Sequence, residues 1–207
     1  MREKRNWDVF LSVLSLLIFA ALSCSPKPAS IVKSYQEAYN NHDLDGVLAL
    51  YAEDASFEII GQVSLQGKKQ VRELTEYDFV LNIHMSCDQF RTRGDSVMCQ
   101  LEETNDWLKA SGIQRARYMA TFMVRNGLIQ SVRAELAPET EQAIGKILDP
   151  LIEWASQHRP ELLAEMMPEK AFIYNADNAK KSLSLLHEWK EMVRRKAPAL
   201  HWQKLSR

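Results

Sequence analysis

Hydrophobic and polar positions fall into three regimes along the chain. The first is a nearly continuous apolar run from Val9 to Leu22, broken by Ser12 and Ser15 and preceded by Arg2, Lys4 and Arg5. Crossing a hydrocarbon core of ~30 Å takes about 20 apolar residues. The run is short for a membrane helix and suits the apolar stretch of a secretory signal over residues 1–23.

The second regime mixes helical and alternating periods. Ser30 can cap a helix from Ile31 to about Asn41, with Ile31, Tyr35, Ala38 and Tyr39 on one apolar face. Asp43 caps a short second helix carrying Val47, Leu48, Leu50 and Tyr51. Ala55 to Ile60 alternates as a strand does, Phe57 and Ile59 against Ser56 and Glu58. Gly67 opens a third helix, predicted to run to about Met85. Strands follow over Val97–Trp107, Gln114–Val124 and Leu128–Leu136, the last two joined by the hairpin signal Asn126-Gly127. Parity sets Ala116, Tyr118, Ala120, Phe122 and Val124 on one face, and Arg115, Arg117 and Arg125 on the other. Such a sheet buries one face and wets the other. The third regime, from Pro138 on, is helical: Glu139–Gln157, Pro160–Met167, and a last helix capped by Asp177 with Leu183, Leu186, Trp189 and Val193 inward.

Composition narrows the function classes. Net charge is −1 with acids and bases interspersed, so no basic field points to nucleic acid. Without residues 1–23 the chain has about one domain's length, and residues 24–29 read as a tether. The three cysteines include no CxxC or Cys/His cluster, so neither a metal site nor a cofactor is expected. Cys87 and Cys99 flank a turn at Arg93-Gly94-Asp95. Strand parity points them to opposite faces unless a bulge intervenes, so two separate thiols are expected.

Two resemblances follow. Ala21-Leu22-Ser23-Cys24 resembles a bacterial lipoprotein signal. That implies a lipid on Cys24 and membrane anchorage, with Ser25 suggesting the outer membrane facing the periplasm. Ordinary cleavage nearby would instead leave a free periplasmic protein. The phrases Tyr39-Asn40-Asn41-His42-Asp43-Leu44-Asp45-Gly46-Val47, Leu50-Tyr51-Ala52-Glu53-Asp54-Ala55-Ser56-Phe57, Gly67-Lys68 and Arg125-Asn126-Gly127-Leu128-Ile129 resemble the SnoaL-like branch of the nuclear transport factor 2-like superfamily. The resemblance implies an α+β fold over residues 30–137, a cone-shaped curved antiparallel sheet closed by N-terminal helices. Residues 138–207 would add a helical extension that covers the sheet or the cone mouth, or mediates homodimerisation.

A cone of this family holds its pocket between sheet and helices. If the apolar parity faces it, Phe57, Ile59, Leu101, Tyr118, Ala120, Phe122, Val132 and Ala134 line it, with Tyr35 reaching in. Among ketosteroid isomerase relatives, Tyr35 matches the catalytic tyrosine, but Ile59 and Ala120 stand where the base and the oxyanion-binding acid belong. Arg115, Arg117, Arg133 and Glu135 lie on the wrong face for the water-activating network of epoxide hydrolase relatives, and read as salt bridges under the tail. Glu103 follows Val97, Cys99 and Leu101 inward and is the candidate carboxylate for acid or base work if desolvated and unpaired; at the strand end it can equally lie solvated at the rim. Asn105 and Trp107 read as recognition groups or a polar corner. His42-Asp43 reads as a turn and cap.

Three readings result. The first is a noncatalytic envelope protein that binds an apolar or amphipathic small molecule. The second is an isomerase, cyclase or hydrolase using Glu103 with Asn105 and Tyr35 or Tyr118. The third is a structural role with a filled cone. A buried Glu103 without a cation favours the second.

Overall fold

The computed structural model describes residues 27–203; the apolar run and Cys24 lie outside them. Helices α1 (Pro28–Asn40) and α2 (Leu44–Ala49) lead into strands β1 (Tyr51–Ile59) and β2 (Val63–Gln66). After α3 (Lys68–Val80) come β3 (His84–Arg93), β4 (Ser96–Thr104), the short α4 (Asp106–Ser111), β5 (Ala116–Arg125) and β6 (Leu128–Leu136). The tail holds α5 (Pro138–His158), α6 (Pro160–Met166), a 3-10 turn (Pro168–Lys170) and α7 (Ala176–Gln203). The six strands form one sheet in the order β2-β1-β6-β5-β4-β3. Only β1 and β6 pair in parallel.

Alternation decides which face is buried. Along β5, Ala116, Ala120, Phe122 and Val124 are buried, whereas Arg117, Met119 and Arg125 are exposed. Helix α1 lays Val32, Tyr35 and Tyr39 on this apolar face, with Val47 and Tyr51 beside them. Burying a side chain such as Phe122 contributes about 1.5–3 kcal/mol, and this cluster is the main core.

Local chemistry overrides the sequence pattern at several boundaries. Helix α3 stops at Val80 instead of running to Met85. Asn82 adopts a left-handed φ of 53°, the Ile83 N–H donates to the Asp78 carbonyl and the Asn82 N–H to that of Phe79. That is a Schellman end with asparagine in glycine's usual place, and it frees His84–Arg93 to become a strand. β4 ends at Thr104, short of Trp107, because the Asn105 Oδ1 accepts from the Leu108 N–H at 2.7 Å and starts α4. The short β2, absent from the sequence reading, turns back on β1 through Gly61 at φ 74°.

At the caps, α1 begins on Lys27 with Pro28 in its first turn, and Ser30 donates to the Lys27 carbonyl instead of capping. Asp43 does cap α2, accepting from the Gly46 N–H at 2.9 Å. Asn175, not Asp177, starts α7 by accepting from the Asn178 N–H at 2.8 Å.

The parity of the cysteines also changes. The β3–β4 register slips between Asp88 and Arg91, where Gln89 sits at φ 55°. This bulge turns Cys87 to the same inner face as Cys99, and both are buried.

The tail is packed, not appended. Leu151, Trp154, Ala155, Leu185 and Leu186 form a second core, against which Trp107 and Ala110 of α4 rest. Val193, expected inward, is 45% exposed, and Met192 packs in its place. Among the described residues no helix is long and apolar enough to cross a membrane.

Candidate functional site

Sheet, N-terminal helices and tail enclose a cavity of about 300 Å³, at the small end of the range typical of ligand sites. The sheet supplies the residues its parity sends inward: Phe57, Ile59, Leu101, Tyr118, Ala120, Phe122, Val132 and Ala134. Tyr35 and Tyr39 enter from α1, and Leu74, Tyr77 and Asp78 from α3. The tail closes the remaining side with Ile144, Leu148, Leu151, Leu163, Met166, Phe172 and Tyr174. Glu103, Asn105 and Trp107 are on the same wall. All the candidate site residues within the described region therefore meet at one cavity.

Two carboxyl groups reach this apolar space. Glu103 accepts from the Asn105 Nδ2 at 2.6 Å and from the Tyr118 hydroxyl at 3.1 Å. Asp78 accepts from the Tyr39 hydroxyl at 2.6 Å. No lysine, arginine or histidine lines the cavity among the described residues, so neither acid has a cation there.

Burial pushes the Glu103 carboxyl above the usual carboxylate range, against the two hydrogen bonds that favour its charge. Burial pushes Asp78 well above that range too, and the Glu103 charge adds to it, with Tyr39 pulling the other way. Both residues keep some accessible surface. Both line the cavity, where the neighbouring side chains are mainly apolar. Two donors hold Glu103 against one on Asp78, and Asp78 is the more strongly raised of the two.

The surrounding phenols are held neutral. Burial raises Tyr39 and Tyr118 well above their usual range, with the neighbouring carboxyls adding to it. Tyr174 is pushed up to about 12 by burial. Tyr77, Phe172 and Tyr174 pack edge to face, with centroids 4.9–5.7 Å apart, where α3 meets the tail. Tyr35 packs its ring against Tyr51 and Phe122 at 5.7 and 5.6 Å, and no hydrogen bond links its hydroxyl to either acid. Tyr35 lines the cavity, and Tyr39, one turn further along α1, is the tyrosine that donates to Asp78.

Asp78 is the group the sequence reading missed. Leu74, Tyr77, Asp78 and Leu81 recur at helical spacing and all line the cavity, so an acid stands on the apolar stripe of α3. That misplacement was the available signal.

The basic residues of the other sheet face take no part. Arg115 and Arg117 both bind Glu102, at 2.6 and 2.8 Å, and Arg133 binds Glu58 at 3.4 Å. The three arginines are 48–64% exposed, so the ion pairs stand in solvent and not under the tail as expected. His42 stacks on Phe79 at 4.7 Å and contacts the Ile83 carbonyl at 3.2 Å, a structural role. Among the described residues no cluster of three or more His, Cys, Asp or Glu could hold a metal ion.

Residues 32–132 match the model of the SnoaL-like domain family. No curated protein matches the chain. Several solved structures are similar to it. An NTF2-like protein of unknown function from Cytophaga hutchinsonii is 11% identical, with a TM-score of 0.47 over 57% of this chain and 96% of that one. The epoxide hydrolase/cyclase-like enzyme SalBIII, of pyran ring formation in the polyether salinomycin, is 19% identical, with a TM-score of 0.49 over 55% and 92%. An LEH-like epoxide hydrolase of M. tuberculosis is 18% identical, with a TM-score of 0.49 over 60% and 94%. Residues 32–132, on a curved six-stranded sheet closed by helices, are thus similar to the SnoaL-like domain family, and the chain adds a helical cover to that region.

Proposed function

We propose that the cavity is an acid–base site for an uncharged, mainly apolar small molecule. The observation that carries this reading is the pair Asp78 and Glu103 on one cavity wall, with no cation beside them among the described residues. A noncatalytic pocket gains nothing from two buried acids, which cost stability unless they are paired. An open volume of about 300 Å³ also leaves a filled cone without support.

The roles follow from the hydrogen bonds. Glu103, held by Asn105 and Tyr118, is the base and takes a proton from a substrate C–H or from water. Asp78, the more strongly raised of the pair, acts as the acid and gives its proton, or a strong hydrogen bond, to the oxygen on which charge develops. Neighbouring acids whose environments separate their pKa values divide acid and base work in this way. Tyr39 orients the Asp78 carboxyl. Enolisation of a ketone, ring closure and epoxide opening all need this pair of transfers, so the reaction is of isomerase, cyclase or hydrolase type. The apolar walls select an uncharged body, and the absence of a basic group disfavours anions. For the segment before the domain we propose export and a lipid anchor on Cys24 in the bacterial envelope. Its support is the Val9–Leu22 run and Ala21-Leu22-Ser23-Cys24.

The test is a panel of apolar ketones, epoxides and hydroxy-polyenes of cavity size, followed in deuterated water by NMR and mass spectrometry. Glu103→Gln and Asp78→Asn should each reduce turnover by about 10²–10⁴-fold while ligand binding changes little. A panel member that binds, shows no deuterium uptake or conversion, and is indifferent to both substitutions would return the protein to the binding class.

A further inference from the structure

Beyond the cavity chemistry, we infer that Cys87 and Cys99 are a disulfide-forming pair that cross-links β3 to β4 on oxidation. The two Sγ atoms lie 2.6 Å apart, buried and twelve residues distant in sequence. A formed S–S bond is about 2.05 Å long, so closure needs a shift of only about half an ångström. Diagonal neighbours on an antiparallel pair are ordinarily too far apart for this geometry. The bulge at Gln89 changes that, because it puts two residues of β3 against one of β4 and rotates Cys87 onto the inner face. Without the register slip the two thiols would point to opposite sides of the sheet.

The surroundings favour the pair as a unit. Both sulfurs sit in the main core, and the Cys87 N–H is fixed by the Gln36 Oε1 at 2.8 Å. The contact with Cys99 raises the Cys87 thiol first, and burial adds to it, so the reduced pair is unreactive once folded. Closure belongs to the folding chain, when β3, the last strand of the sheet, docks on β4. The step is a dithiol–disulfide exchange. One thiolate attacks the disulfide of an oxidised dithiol donor, and the second displaces the donor. The Cys87–Cys99 bond forms, the donor disulfide is reduced to two thiols, and both cysteine protons pass to the donor sulfurs or solvent. β3 carries Met85 and β4 carries Leu101 and Glu103, all on the cavity wall, so the cross-link braces that side of the site.

The experiment refolds the full-length protein with oxidised and reduced glutathione, alkylates it under denaturing conditions and maps its peptides. The expected product lacks two hydrogens and yields a Cys87–Cys99 linked peptide. Reduction should lower Tm by about 5–10 °C for a loop of this length in a chain of this size. Cys99→Ser should have no such reductant-sensitive shift. Full alkylation of both thiols after oxidative refolding would overturn the inference. So would finding them only in bonds to Cys24, to glutathione or to a second chain.

Discussion

Replacing Tyr39 with phenylalanine keeps the ring and deletes one hydroxyl. In the native fold that hydroxyl donates to the Asp78 Oδ2 at 2.6 Å. A neutral hydrogen bond contributes about 0.5–1.5 kcal/mol net, and one to a charged group about 1.5–3 kcal/mol. Which value applies depends on whether Asp78 is ionised. Burial holds its carboxyl well above the usual range, and the Tyr39 hydroxyl favours the charged form. Tyr39→Phe should therefore cost ~1 kcal/mol where Asp78 is protonated, and roughly double that once Asp78 ionises. Urea unfolding from pH 5 to pH 9, with the slope of each transition checked for constancy, measures this directly. The cost should grow with pH, and the rise should mark the Asp78 titration. A cost independent of pH would refute the view that this hydroxyl tunes the Asp78 proton. A cost near zero would refute the hydrogen bond itself.

Three further outcomes are expected. Raised carboxyl pKa values mean that the folded chain keeps protons the unfolded chain has released. The stability is complete below the ordinary carboxylate pKa near 4 and falls as pH rises through the folded values of Asp78 and Glu103. Asp78→Asn removes part of that loss, so it should be near neutral at about pH 4 and increasingly stabilising as pH rises; thermal melts across pH check this. Leu186→Ala, at a fully buried position of the tail core, should cost about 2–5 kcal/mol and leave one calorimetric transition, whereas two transitions would separate tail from domain. Arg117→Ala should leave both stability and turnover almost unchanged, because its ion pair with Glu102 is screened by solvent; a large loss of turnover would contradict that placement.

The β4–β6 part of the sheet was legible in the sequence because its rule is simple, whereas β2 and β3 were not. Strict alternation in Gln114–Val124 and Leu128–Leu136, with a strong turn between, leaves one way to bury Phe122 and Val132. Boundaries were less legible where a single side chain intervenes. Asn82 ends α3 by taking a left-handed conformation, Asn105 turns a strand into a helix, and the Gln89 bulge reverses the parity of Cys87. No apolar period encodes these events. The cavity wall followed from parity, and so did the inward turn of Glu103. Asp78 did not, because an acid on an apolar helix stripe reads as an interruption until a second acid is found beside it in space. The role of the tail was beyond periodicity as well, since Tyr174 and Phe172 reach the cavity from a segment with no regular repeat.

A carbon-detected NMR titration of the Asp78 and Glu103 side-chain carboxyls in the intact protein tests the central claim most directly. Glu103 should titrate above the ordinary carboxylate range, and Asp78 later still. Glu103→Gln should then lower the Asp78 midpoint by removing the neighbouring charge. Two independent titrations near pH 4, unmoved by either substitution, would contradict it.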